Sequence, residues 1–155
     1  MLWVDGNEID PRQFSGEELC QKLGLEMWVY HEQWSKCPVF IQNALFIIDF
    51  DTVTIMEGFP TPYYGYFTSK RYSQIINAFR AIGDNKDADI LTEAGHINSY
   101  YQKIIDSTKD KNEYNKIYNE FSEKIDELEK KLYLNTDFDM WDLLYKYIDE
   151  QIDKL

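Results

Sequence analysis

The chain has 155 residues, 44% of them hydrophobic and 16% aromatic, with 28 acids against 16 bases and a formal net charge of -12. That length fits one domain, and the apolar share is far too high for a disordered acidic tail, so the charge sits on a folded body. Such a surface repels nucleic acid and anionic lipid and attracts basic proteins at low salt, unless its acidity serves solubility alone.

The opening residues place Asp5 and Glu8 where a secretory leader needs a basic start and an apolar stretch. No later run approaches the roughly 18 consecutive apolar residues of a spanning helix, so the expectation is a cytoplasmic protein that does not enter membranes. Cys20 and Cys37 lack CxxC spacing and are expected as free thiols. Charge is uneven along the chain: residues 1–60 hold 10 acids and 3 bases, residues 61–105 hold 4 and 5, and residues 106–155 hold 14 and 8.

The first predicted helix starts at Ser15, which has capping-box spacing to Glu18, with Phe14 and Leu19 placed as a hydrophobic staple and Gly24 placed to end it. A second starts at Cys37-Pro38, with Pro38 as the first helical residue and Phe40, Ile41, Ala44, Leu45 and Ile48 on one face. The β-branched run Thr52 to Ile55 leaves its end open. Two prolines and two glycines between Gly58 and Gly65 predict an irregular Pro/Gly/Tyr loop near 58–67.

Helices resume from Ser69 to Ile82, closed by Gly83, and Asp84 is placed to cap a further helix that Gly95 weakens at its middle. From Tyr114, the positions Ile117, Tyr118, Phe121, Ile125, Leu128 and Leu132 recur at a helical period. Trp141, Leu144, Tyr145, Ile148, Ile152 and Leu155 repeat the pattern, with Asn135-Thr136-Asp137 read as the joint and cap between the two. The reading is all-α: one compact domain of about six helices over 1–155, ending in an amphipathic helix pair over about 111–155.

Catalytic signals are weak. His31 and His96 are the two imidazoles, and His31-Glu32 begins like an HExxH zinc motif but lacks its second histidine. No phosphate loop or dinucleotide fingerprint is present. Asp49, Asp51 and Glu57 are the carboxylates nearest a loop, yet Asp49 and Asp51 point to different faces of a helix, which suits solvent exposure better than a shared metal. The aromatic run Tyr63, Tyr64, Tyr66 and Phe67 reads first as core-edge packing and second as an interface anchor. No catalytic, cofactor-binding or metal-binding residue is assigned.

The last two helices carry the anionic faces. Asp139, Asp142, Asp149 and Asp153 fall within about 80° of one another at 100° per residue, opposite the apolar stripe. One such helix presents about one carboxylate per 5 Å, against about one charge per 1.7 Å in duplex DNA, so mimicry of DNA needs strips from several helices or two protomers. The preceding helix carries Glu120, Glu123 and Glu127 in the same role, partly neutralised by the four-residue pairs Glu120/Lys124, Asp126/Lys130 and Glu127/Lys131.

The blocks Phe50-Asp-Thr-Val-Thr-Ile-Met-Glu-Gly-Phe59, Ala78-Phe-Arg-Ala-Ile-Gly83 and Lys86-Asp-Ala-Asp-Ile-Leu91 resemble the small acidic DNA-mimic protein family, formerly a domain of unknown function, over about residues 38–105. Glu57 stands where many members have glycine, and Pro60 and Pro62 interrupt the usual aromatic run. The resemblance implies an all-α fold and, as in the member that gives the family its name, a dimer, here a homodimer, whose carboxylates stand in for phosphates toward a transcription factor. The family's surface acids lie outside its motif, so none transfers by position.

The functional expectation is therefore a non-enzymatic acidic domain that occupies the DNA-binding surface of a transcription factor or another basic protein, binding no nucleic acid or membrane itself. The partner-binding residues expected are Asp139, Asp142, Asp149, Asp153, Glu120, Glu123 and Glu127. Alternatives are an immunity-type inhibitor of a basic toxin such as a nuclease, and a small carboxylate-dependent enzyme.

Overall fold

The computed structural model describes residues 1–59 and 66–155, the side chains of residues 31 and 32 excepted. It contains α1 (Gly16–Glu26), α2 (Val39–Glu57), α3 (Ser69–Ala81), α4 (Asn85–Ser107), α5 (Lys111–Glu129) and α6 (Met140–Asp153). Short 3-10 turns lie at Pro11–Gln13, His31–Lys36 and Tyr133–Asn135. Among the described residues there is no β-strand, only an isolated bridge between Leu2 and Glu8, so the all-α expectation holds.

Local chemistry sets most helix ends. The Ser15 hydroxyl accepts from the Glu18 amide (3.1 Å) while the Glu18 carboxylate accepts from the Ser15 amide (2.8 Å), which is the expected capping box. Gly24 does not end α1. Its φ is not positive, the helix runs on to Glu26, and its carbonyl accepts from the Trp28 indole at 2.9 Å.

At α2 the expected start shifts by one residue, with Pro38 the N-cap and Val39 the first helical position. The β-branched run does not stop it, because tertiary burial outweighs a few tenths of a kcal/mol of propensity per residue. Buried residues from Phe40 to Thr54 occupy every face rather than one, the pattern of a helix enclosed on all sides. By length and composition α2 could also cross a membrane, but 61% of its apolar window is buried inside the protein. It is the central element of the core.

The expected loop is entered at Gly58 (φ +84); Pro60, Pro62, Tyr63 and Tyr64 lie outside the described residues. Gly83 (φ +89) closes α3 as expected: its amide donates to the Arg80 carbonyl (3.0 Å) and the Asp84 amide to that of Phe79 (2.9 Å). Asp84 then caps α4, accepting from the Asp87 amide at 3.1 Å. α4 passes through Gly95 without a break. The cap of α6 is Asp139, which accepts from the Asp142 amide at 3.1 Å, and not the Asn135–Asp137 segment.

The packing runs α2 on α3, α3 on α4 and α4 on α5, with α1 and α6 against each other and both against α2. Phe50 of α2 meets Phe79 of α3 edge-on, centroids 5.5 Å apart, and Tyr101 of α4 meets Phe121 of α5 at 5.7 Å. Fully buried, Phe50, Phe79 and Phe121 each contribute about 1.5–3 kcal/mol. α5 and α6 have no extended contact, so the two C-terminal helices are not a packed pair. Leu155, expected on the apolar stripe, is 58% exposed.

Candidate functional site

α5 rests on the core through Phe121, Ile125 and Leu128. Glu120, Glu123 and Glu127 lie within about 60° of one another on its opposite side, over roughly 10 Å of axis, and all three are exposed. With Lys124, Asp126 and Lys130 they line an open surface concavity of about 430 Å³. The three expected neutralising pairs do not form. Lys130 reaches back instead to Glu127 at 3.4 Å, and that is the ion pair made on this face among the described residues. Beside it, burial and the adjacent Glu120 carboxylate push the Tyr101 phenol upward from its ordinary pKa.

The α6 strip is differently committed. The Asp139 carboxylate caps the helix, and Asp142 is bridged by Lys146 at 2.8 Å. Asp149 accepts from the Gly16 amide at 2.7 Å, which fixes the N-terminus of α1 against α6. Asp153 is exposed beside Arg12 and Phe14, and the Arg12 guanidinium donates to the Leu155 carbonyl at 2.8 Å. Three of the four acids thus have structural partners. The seven expected residues sit on two helices that pack against different neighbours, α5 on α4 and α6 on α1 and α2.

The acids that looked solvated are among the least so. Asp49 is 5% exposed and ion-paired with Arg71 at 2.8 Å, whose guanidinium lies over the rings of Trp34 (4.7 Å) and Phe46 (5.1 Å). Asp51 accepts from the Tyr133 hydroxyl at 2.6 Å, and burial raises its pKa from the usual carboxylate range despite that bond. They do face different ways, toward partners on different elements, because two residues along a helix are about 200° apart. Glu57 is exposed.

His96 is exposed, and the side chain of His31 lies outside the described residues. Both cysteines are free and buried, with burial pushing the Cys20 thiol up to about 12, out of the nucleophilic range. No group of three His, Cys, Asp or Glu suited to a metal occurs among the described residues. Tyr66 is 52% exposed and packs edge-on at 5.2 Å on Phe67, which is buried.

Sequence reasoning passed over the buried pair Asp84 and Asp87, the Arg71 clamp and the close approach at Gly16. Only Asp84 carried a local signal, as a cap.

Among families of known proteins, a model described as DMP19-like protein matches residues 35–151. No curated protein and no solved structure matches the chain.

Proposed function

The chain belongs to the DMP19-like protein family, and from that premise we propose that it is a non-enzymatic acidic binding protein that occupies the DNA-binding surface of a basic partner, such as a transcription factor. The observation carrying this reading is the outer face of α5, where Glu120, Glu123, Asp126 and Glu127 are exposed around one concavity with a single ion pair to them among the described residues. Carboxylates held this way keep their field available to guanidinium and ammonium groups, and the net charge of -12 adds long-range steering. The α6 acids contribute less, since Asp139, Asp142 and Asp149 are already engaged within the fold. Over only roughly 10 Å of axis, the α5 face covers a short patch of a DNA-binding surface rather than imitating a full duplex turn.

The test is capture of a basic DNA-binding protein at low salt, followed by competition with that protein's own DNA. Salt-sensitive capture, displacement of DNA by the chain, and at least tenfold weaker binding for the combined Glu120→Gln, Glu123→Gln and Glu127→Gln variant are expected. A captured protein that holds DNA and the chain together would defeat the reading. An immunity-type role keeps the same surface and differs in partner: it predicts loss of a basic nuclease's activity on addition of the chain.

A further inference from the structure

Asp84 and Asp87, 2% and 0% exposed, are the least accessible acids among the described residues. They sit where three elements meet. The Asp84 amide closes α3 on the Phe79 carbonyl, and its Oδ1 accepts from the Asp87 amide to start α4. Asp87 Oδ1 accepts from the amide of Tyr133 at 3.0 Å, in the connector between α5 and α6. The Tyr133 phenol turns the other way and donates to Asp51 of α2. One oxygen of each acid, Asp84 Oδ2 and Asp87 Oδ2, is buried without any hydrogen-bond partner.

No cation answers them. The ion pairs among the described residues leave both acids out, the neighbouring Arg80 is spent on Asp89, and Lys86 supplies only a weak favourable field. Two adjacent, unpaired charges at such depth would carry both a large desolvation cost and mutual repulsion. One proton removes the repulsion and one of the two buried charges, because a carboxyl O–H on one acid can donate to the orphaned oxygen of the other.

We propose that Asp84 and Asp87 share a single proton in the folded protein, forming a clasp that joins the α3–α4 corner to the α5–α6 connector and weakens as the solution turns alkaline. The direction of the Asp87 pKa agrees: burial first, then the hydrogen bond and charge of Asp84, push it up to about 8, while the Tyr133 amide and Lys86 oppose the rise. The groups bearing on the pair are Lys86 at the corner, the amide and phenol of Tyr133 on the connector and, beyond that ring, Asp51 on α2. The inference stands apart from the proposed function, since it concerns how the connector into α6 is held.

The sign follows from proton linkage. The folded state keeps a proton that the unfolded carboxylate, near 3.8, has released, so the clasp's contribution is complete below about 4, shrinks as pH rises, and is gone above about 8. In Asp87→Asn the amide oxygen still accepts from Tyr133, while the amide nitrogen replaces the shared proton at every pH. Asp84→Asn does the same from the other side and keeps a good cap.

The experiment follows the carboxyl carbons of the intact protein by NMR from pH 4 to 10, with urea unfolding of wild type, Asp87→Asn and Asp84→Asn alongside. A carboxyl of the pair titrating near 8 is expected, together with a wild-type folding constant that falls against either variant by up to tenfold per pH unit between about 5 and 8, then levels. Both carboxyls titrating below about 5 would overturn the clasp. So would a wild-type thermal midpoint raised by calcium or magnesium chloride and unmoved in Asp87→Asn, which would put a metal ion where the proton is placed.

Discussion

At Gly16 the backbone of α1 passes so close to α6 that a β-carbon would fall on the Tyr145 carbonyl oxygen and 3.0 Å from its carbon. On an exposed helix, alanine in place of glycine gains about 0.5–1 kcal/mol. Here the obstruction is backbone and cannot rotate away, so Gly16→Ala is expected to destabilise by about 3 kcal/mol in urea unfolding; a gain in stability would show that α1 and α6 do not meet as described. Asp49 offers a second case. Replacing Arg71 by Met strips a buried carboxylate of its ion pair and is expected to cost about 2 kcal/mol, below the usual range for a buried pair because Arg71 is 29% exposed. Unchanged stability of Arg71→Met would mean that the pair contributes nothing. None of these contacts was visible in the sequence, unlike the capping box of Ser15 and Glu18, whose partners lie three positions away. Gly16 and Asp149 are 133 positions apart, and Arg71 and Asp49 are 22.

The helices themselves were largely legible, because a stripe at 3.6-residue spacing and a cap are local patterns. Where the expectation slipped, a longer-range contact decided. Thr52 to Ile55 stay helical because Val53 and Thr54 are buried against the rest of the core, and Gly24 continues α1 because nothing there demands a positive φ. The α6 boundary can be tested directly. Asp139→Ala should lower stability by about 1 kcal/mol through the lost bond to the Asp142 amide, whereas Asp137→Ala should change it little. Equal losses from the two would return the cap to the segment read from sequence. The order of helix packing was not legible: α5 and α6 are consecutive and similarly amphipathic, yet each docks on a different neighbour.

For the molecule as a whole, the net charge of -12 acts against compactness through self-repulsion. Screening should therefore raise the thermal midpoint between low salt and about 0.2 M sodium chloride, and the combined Glu120, Glu123 and Glu127 to Gln variant should show a smaller rise. A midpoint falling with salt would mean that favourable ion pairs outweigh repulsion across the surface. Composition, helical period and capping chemistry determined that this chain is a single all-α body with an acidic exterior, since these depend on residues within about four positions of one another. Which carboxylates are held by distant parts of the chain was decided by tertiary structure alone. Asp149, Asp49 and Asp87 look like any other surface acids in the sequence until the chain brings Gly16, Arg71 and Tyr133 beside them.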